Sequence, residues 1–171
     1  VQGDTLIDCT KNAVALNSLL TDTSRYQLIW TKPDQTQIKD SVKIKSNLSG
    51  KYTLTVIDKK NYCQDTKDWN VTVDSLFPQI DLGTDLVIDC KNNGVNIIPT
   101  ETSQTGMFGY YWNMPTGNLG KETKLLDKIS TQSGQVILKV INEQNGCASS
   151  DTLLIKDVRQ LPIIDAGVND L

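Results

Sequence analysis

Apolar and polar residues alternate with a period of two at several places in both halves of this chain, and neither half keeps the longer period of a helix. In Lys51-Tyr52-Thr53-Leu54-Thr55-Val56, the alternation turns Tyr52, Leu54 and Val56 to one side and Thr53 and Thr55 to the other. That is the pattern of an antiparallel strand with one face in a core and one in water. Val136, Leu138 and Val140 repeat it later in the chain. Val42 and Ile44 alternate with Lys43 and Lys45, which predicts a strand whose basic outer face stays soluble. Further strands are predicted over 14–16, 27–30, 69–73, 95–98, 109–112 and 153–155, with Asn, Asp, Gly and Pro between them. About seven short strands per half of the chain predict an all-β fold built as a Greek-key β-sandwich.

A repeat divides the chain into halves. Leu6-Ile7-Asp8-Cys9 returns as Val87-Ile88-Asp89-Cys90, and Ser49-Gly50 followed by Cys63 returns as Ser133-Gly134 followed by Cys147. A period of about 80 residues divides the 171 residues into two immunoglobulin-like repeats, over 1–79 and 80–163. Residues 164–171 are expected to open a truncated third repeat or to form a linker, with Val1 a cut inside a longer chain. Phe77-Pro78-Gln79-Ile80-Asp81-Leu82-Gly83 between the copies predicts a semi-rigid joint, because proline fixes its backbone and the segment is short.

Each copy holds two of the four cysteines, one before its first core strand and one in a late hairpin. Four cysteines allow three connectivities. Cys9–Cys63 with Cys90–Cys147 treats both copies alike, and this pairing is the expectation: one disulfide inside each domain, tying the first strand to the late hairpin. Structural disulfides imply an oxidising compartment outside the cytosol. Trp30 and Trp112 each precede a proline by three residues, Pro33 and Pro115, and are expected to fill the two cores with Tyr52, Leu54 and Leu138. Ser49-Gly50-Lys51-Tyr52 resembles a tyrosine corner, although Leu54 stands where an antibody-type domain places its second cysteine.

Composition then removes function classes. The net charge is −3 with both signs interspersed, so there is no electrostatic footprint for nucleic acid, and no apolar run has the length of a membrane span. No histidine is present, which leaves serine or cysteine triads without their usual base and, with no CxxC, leaves zinc without its usual ligand set. The chain is therefore expected to be non-catalytic and to need no cofactor. Asp81, Asp85 and Asp165 beside the joints are candidate calcium ligands, and the alternative role of aspartate there is to cap turns. Tyr111 beside Trp112 is the one candidate ligand contact, since an outward tyrosine stacks on sugar rings.

Taken together, the Ile-Asp-Cys start, Trp-x-x-Pro, Ser-Gly-x-Tyr-Thr-Leu-Thr-Val, Asn-Gly-Cys and Asp-Ala-Gly segments resemble the tandem PKD-like or immunoglobulin-like repeats of large Bacteroidota cell-surface adhesins. Those repeats belong to proteins exported by the type IX pathway and associated with gliding motility. Trp-Asp-Phe-Gly-Asp-Gly of PKD domains proper is missing here, so immunoglobulin-like is the safer label. The resemblance implies a structural or adhesive module of a long extracellular filament or adhesin stalk. Its expected partners are neighbouring repeats of the same chain, and surface glycans or other cells. It also draws attention to an Asp-Ser/Thr-aliphatic signal for O-glycosylation at Thr5, Ser41, Ser75 and Thr152. The alternative is a carbohydrate-binding accessory module of a secreted protein.

Overall fold

The computed structural model describes residues 2–3, 5–20, 23–101 and 106–164. The expected start of a third repeat, and with it Asp165, lies outside the described residues except for its first position. Every regular element described is a strand, and no helix is long and apolar enough to cross a membrane. The chain forms two compact units. One is Val1–Leu76 together with Asn145–Cys147; the other is Phe77–Gln144 with Ala148–Leu171.

The first unit contains β1 (Gln2–Gly3), β2 (Leu6–Asp8), β3 (Val14–Asn17), β4 (Tyr26–Thr31), β5 (Gln37–Lys39), β6 (Lys43–Ser46), β7 (Gly50–Asp58) and β8 (Gln64–Asp74). Its larger sheet has the order β2-β8-β7-β4-β5 and its smaller sheet β1-β3-β6. The run β8-β7-β4-β5 corresponds to strands G-F-C-C′ of an immunoglobulin-like sandwich, with β3 and β6 as B and E. All pairs are antiparallel except β2 with β8. The core draws Ile7, Leu28, Trp30, Tyr52, Leu54 and Val71 from the larger sheet and Val14, Leu16 and Ile44 from the smaller. Trp30 and Tyr52 are fully buried.

Two polar contacts hold these aromatics in place. The Trp30 indole N–H donates to the Ser41 carbonyl at 2.8 Å, and the Tyr52 hydroxyl donates to the Leu48 carbonyl at 2.6 Å. The second is the bond that defines a tyrosine corner. Val42 departs from the predicted alternation: it is 41% exposed, because β6 begins only at Lys43 and the Val42 carbonyl instead accepts the Ser18 N–H at 2.7 Å.

The second unit contains β9 (Ile80–Asp81), β10 (Leu86–Ile88), β11 (Val95–Ile97), β12 (Thr100–Glu101), β13 (Phe108–Met114), β14 (Gly117–Glu122), β15 (Lys128–Ser130), β16 (Gly134–Asn142) and β17 (Ala148–Asp157). Its five-stranded sheet, β10-β17-β16-β13-β14, repeats the order of the first unit, again with one parallel pair, β10 with β17. β11–β15 and β9–β12 are two further two-stranded sheets, and Ile97, Val95 and Ile80 from them join the core of this unit. Trp112, Leu138, Val136, Val140, Leu153 and Ile155 are buried together.

One device is common to both units and explains two motifs at once. Gly50 and Gly134 open β7 and β16 at φ of 123° and 142°, and a Cβ there would meet Pro33 at 2.9 Å and Pro115 at 3.2 Å. Ser-Gly and Trp-x-x-Pro recur together because glycine and proline are the two sides of one close contact.

Replacing Tyr52 with phenylalanine is expected to cost about 1 kcal/mol, the worth of its hydroxyl bond. Trp30→Ala should cost about 3–5 kcal/mol through the cavity it leaves. Urea titration followed by the first unit's own signals checks both, and an unchanged midpoint for Tyr52→Phe would show that the corner is dispensable.

Candidate functional site

Two loops in each copy carry the cysteines, and local hydrogen bonds build each loop in the same way twice. After β2, Asp8 Oδ1 accepts the backbone N–H groups of Thr10 and Lys11, both at 2.8 Å, while the Asp8 N–H donates to the Lys11 carbonyl at 3.0 Å. The Thr10 hydroxyl, bonded to the same oxygen at 2.6 Å, holds the Asp8 carboxyl below its usual range. After β10, Asp89 Oδ1 accepts from Lys91 at 2.9 Å and Asn92 at 2.6 Å, and the Asp89 N–H reaches the Asn92 carbonyl at 3.1 Å. Cys9 and Cys90 follow these aspartates. Asp is suited to the position because its short carboxylate folds back on nearby N–H groups.

The second loop is the hairpin tip. Between β7 and β8, Asp58 Oδ1 accepts the Lys60 N–H at 2.9 Å, Asn61 Oδ1 accepts the Cys63 N–H at 3.0 Å, and Tyr62 is left-handed at φ 59°. Between β16 and β17, Asn142 Oδ1 accepts from Gln144 at 3.0 Å, Asn145 Oδ1 accepts from Cys147 at 2.9 Å, and Gly146 is left-handed at φ 71°. In the first copy the turn is anchored further by Arg25, whose Nε and Nη2 donate to Asp58 Oδ2 at 3.0 and 2.7 Å and hold that carboxyl below its ordinary value.

The disulfide joins Cys9 to Cys147, with a Cα–Cα distance of 5.0 Å, and leaves Cys63 and Cys90 free and exposed. This corrects the expected pairs Cys9–Cys63 and Cys90–Cys147. The reason is strand direction. β2 runs parallel to β8 with Asp8 opposite Asp74, the last residue of β8, whereas Cys63 precedes its first. At about 3.3 Å per residue, that strand separates the two cysteines by about 30 Å, several times the Cα–Cα distance a disulfide spans. Cys90 and Cys147 lie at opposite ends of β17 for the same reason.

Cys147 is fully buried within the first unit, to which Asn145–Cys147 belongs. Asn145 is its polar anchor. Its Nδ2 donates to Asp74 Oδ1 at 2.8 Å and to the Leu76 carbonyl at 3.1 Å, and its own carbonyl accepts the Cys9 N–H at 3.1 Å. Gly146 passes so close to Thr10 that a Cβ would overlap the threonine methyl. Asn145 and Gly146 mark a turn in the sequence; their packing against Thr10, Asp74 and Leu76 carries no local signal.

The remaining candidates are dispersed. Thr5, Ser75 and Thr152 are exposed; Ser41 is half-buried, and its hydroxyl donates to the Lys43 carbonyl at 2.6 Å. Asp81 Oδ1 accepts the Gly83 N–H at 2.7 Å, and Asp85 accepts the Leu154 N–H at 3.0 Å and pairs with Lys156 at 3.1 Å. Among the described residues no three acidic, histidine or cysteine side chains converge as a metal site would require. Tyr111 is half-buried on the outer face of β13 and, with Asn113, Asn118 and Lys139, lines a cavity of about 340 Å³. Its neighbour Tyr110 points inward to Glu101, and burial pushes its hydroxyl well above the usual phenol range.

No family model and no curated protein matches the chain. Among solved structures, the three N-terminal domains of the bacteriophage RB49 highly immunogenic outer capsid protein (Hoc) are similar at 14% identity, covering 91% of this chain and 57% of that one, with a TM-score of 0.46. Immunoglobulin domains 1–5 of Sidekick-1 share 11% identity over 86% of this chain and 38% of theirs, at a TM-score of 0.41. The fibronectin(III)-like modules of Clostridium thermocellum CbhA share 13% over 90% of each chain, at 0.38. The chain thus spans 57% and 38% of the first two. The immunoglobulin-like assignment rests on the strand order above and not on these likenesses.

Non-reducing peptide mapping should recover Cys9 linked to Cys147 and two alkylatable thiols, Cys63 and Cys90. Reduction removes a constraint on a loop of 138 residues, worth about 5 kcal/mol by loop-closure entropy. Cys9→Ser and Cys147→Ser should each lower the unfolding midpoint as far as reductant does. A Cys9–Cys63 peptide would refute the assignment.

Proposed function

We propose that this chain is a non-catalytic structural and adhesive repeat module, part of a long extracellular filament or adhesin stalk at a cell surface. The observation that carries the reading is the Cys9–Cys147 bond, which ties the start of one repeat to the late hairpin of the next in sequence. Such a bond is of little use to an isolated domain. In a chain under tension, it takes the load off every residue between the two cysteines. A disulfide also supports an oxidising compartment for the chain. The sequence resemblance to Bacteroidota surface adhesins supports the same reading, as do the exposed Asp-Ser/Thr sites at Thr5, Ser75 and Thr152.

Pulling single molecules by their two ends tests the load-bearing role. Oxidised chains should lack, and reduced chains should regain, about 480 Å of extension, the length of 138 residues at about 3.5 Å each. Equal extension in both states would remove the basis of the stalk reading.

A second reading, a carbohydrate-binding accessory module of a secreted protein, is supported by the Tyr111 cavity. An aromatic face flanked by the amides of Asn113 and Asn118 has the chemistry to stack on and hydrogen-bond a sugar. On a glycan array, saturable binding lost in Tyr111→Ala would favour this module, and silence of the unaltered chain would favour the stalk.

A further inference from the structure

The bonded pair in this chain has an unbonded twin. Cys90 sits in the same aspartate-closed loop as Cys9, and Cys63 sits on the same asparagine-closed hairpin tip as Cys147. Backbone conformation agrees as well as hydrogen bonding, since Tyr62 and Gly146 are both left-handed. Yet one pair is closed and the other two thiols are free and exposed.

The closed bond runs from the first-strand cysteine of one repeat to the hairpin cysteine of the following repeat. Taking the same step again assigns both leftovers. Cys90 requires a hairpin-tip cysteine from a following repeat, and Cys63 requires a first-strand cysteine from a preceding one. Neither can use its own copy, because an extended strand of 10 or 11 residues lies between the two loops.

We propose that Cys63 and Cys90 are complementary disulfide sites for further repeats of this kind, so that Cys63 of one copy of this chain closes on Cys90 of another in a head-to-tail series. The inference rests on the repeat reading above and not on adhesion or glycan binding. What separates these residues from stray surface thiols is that each has a twin, in the same loop, already bonded in the same molecule. A head-to-tail bond of this type joins two different surfaces, so it generates an open series, or a ring where the rotation closes, and not a symmetric dimer.

The chemistry balances with a low-molecular-weight disulfide as oxidant. Glutathione disulfide loses its S–S bond and accepts two electrons and two protons, becoming two thiols. The Cys63 and Cys90 thiols lose those electrons and protons and form one S–S bond.

Two side chains mark where the new junction differs from the closed one. Tyr62 replaces Gly146, whose lack of a Cβ lets it pass Thr10, and at the receiving loop Lys91 replaces Thr10. At the receiving strand end, Asp157 is already engaged by Arg159, whose Nη1 also reaches Asn93. Tyr62→Gly should therefore ease the approach.

The test uses Cys63→Ser, which keeps Cys90, and Cys90→Ser, which keeps Cys63, in a glutathione redox buffer. Each variant alone should remain largely monomeric. Mixed in equal amounts, they should give a disulfide-linked heterodimer exceeding either homodimer by about tenfold, against about twofold for random pairing. Peptide mapping should find Cys63 joined to Cys90 with Cys9–Cys147 intact, and Tyr62→Gly in the Cys90→Ser background should raise the yield. Random proportions, no heterodimer, or Cys63 joined to anything other than Cys90 would overturn the proposal. None of these results would alter the extension on pulling, so the stalk reading stands or falls separately.

Discussion

The Cys9–Cys147 bond acts mainly on the unfolded chain. By closing a loop of 138 residues it removes conformations that the unfolded state would otherwise explore, an effect of about 5 kcal/mol before any strain. Whole small domains are stable by only about 5–15 kcal/mol, and units of this size bury a modest fraction of their surface. The bond is therefore of the same order as everything else that holds the first unit together. Two short loops bring the sulfurs together. Asp8 closes one with backbone N–H bonds, Asn145 closes the other and carries it to Asp74 and Leu76, and Gly146 supplies the clearance beside Thr10.

Packing within each sandwich follows from simpler rules applied twice. A tryptophan from the C strand fills the centre, alternate residues of the F strand face it, and a left-handed glycine lets the F strand begin against a proline. The two units differ in how polar atoms near the tryptophan are satisfied. Trp30 donates to Ser41, whereas the buried indole N–H of Trp112 has no acceptor among the described residues and Lys128 lies 5.7 Å from its ring centre. Tyr52 likewise has a hydroxyl bond that Val136, its counterpart, cannot make. The core shape is thus tolerant of which polar contact pins it, while the glycine–proline contact is kept in both copies.

Strand alternation and the aromatic core positions were legible in the residues themselves, because each depends on neighbours one to four positions away, and the duplication was legible because the same short segments recur. Tyr52 and Leu54 share one face of β7, and Val136, Leu138 and Val140 share one face of β16, for no reason beyond the pleat of a strand. Val42 shows the limit of that rule, since where a strand begins depends on its partner, here Asn17 opposite Lys43. The cysteine pairing lay beyond it altogether. Symmetry between the copies predicted one bond inside each, whereas the structure joins Cys9 to Cys147 and leaves Cys63 and Cys90 free.

What decided between those pairings is the parallel alignment of β2 with β8, which sets Cys9 beside the end of a strand that Cys63 precedes. Parallel and antiparallel pairing of a short first strand cost similar local energies and leave similar residue patterns, so no local signal distinguishes them. The sequence by itself determined the strands, the two cores and the number of thiols. Only the tertiary structure decided which thiols meet, because a disulfide forms across a few ångströms while the chain between its ends runs through most of the molecule.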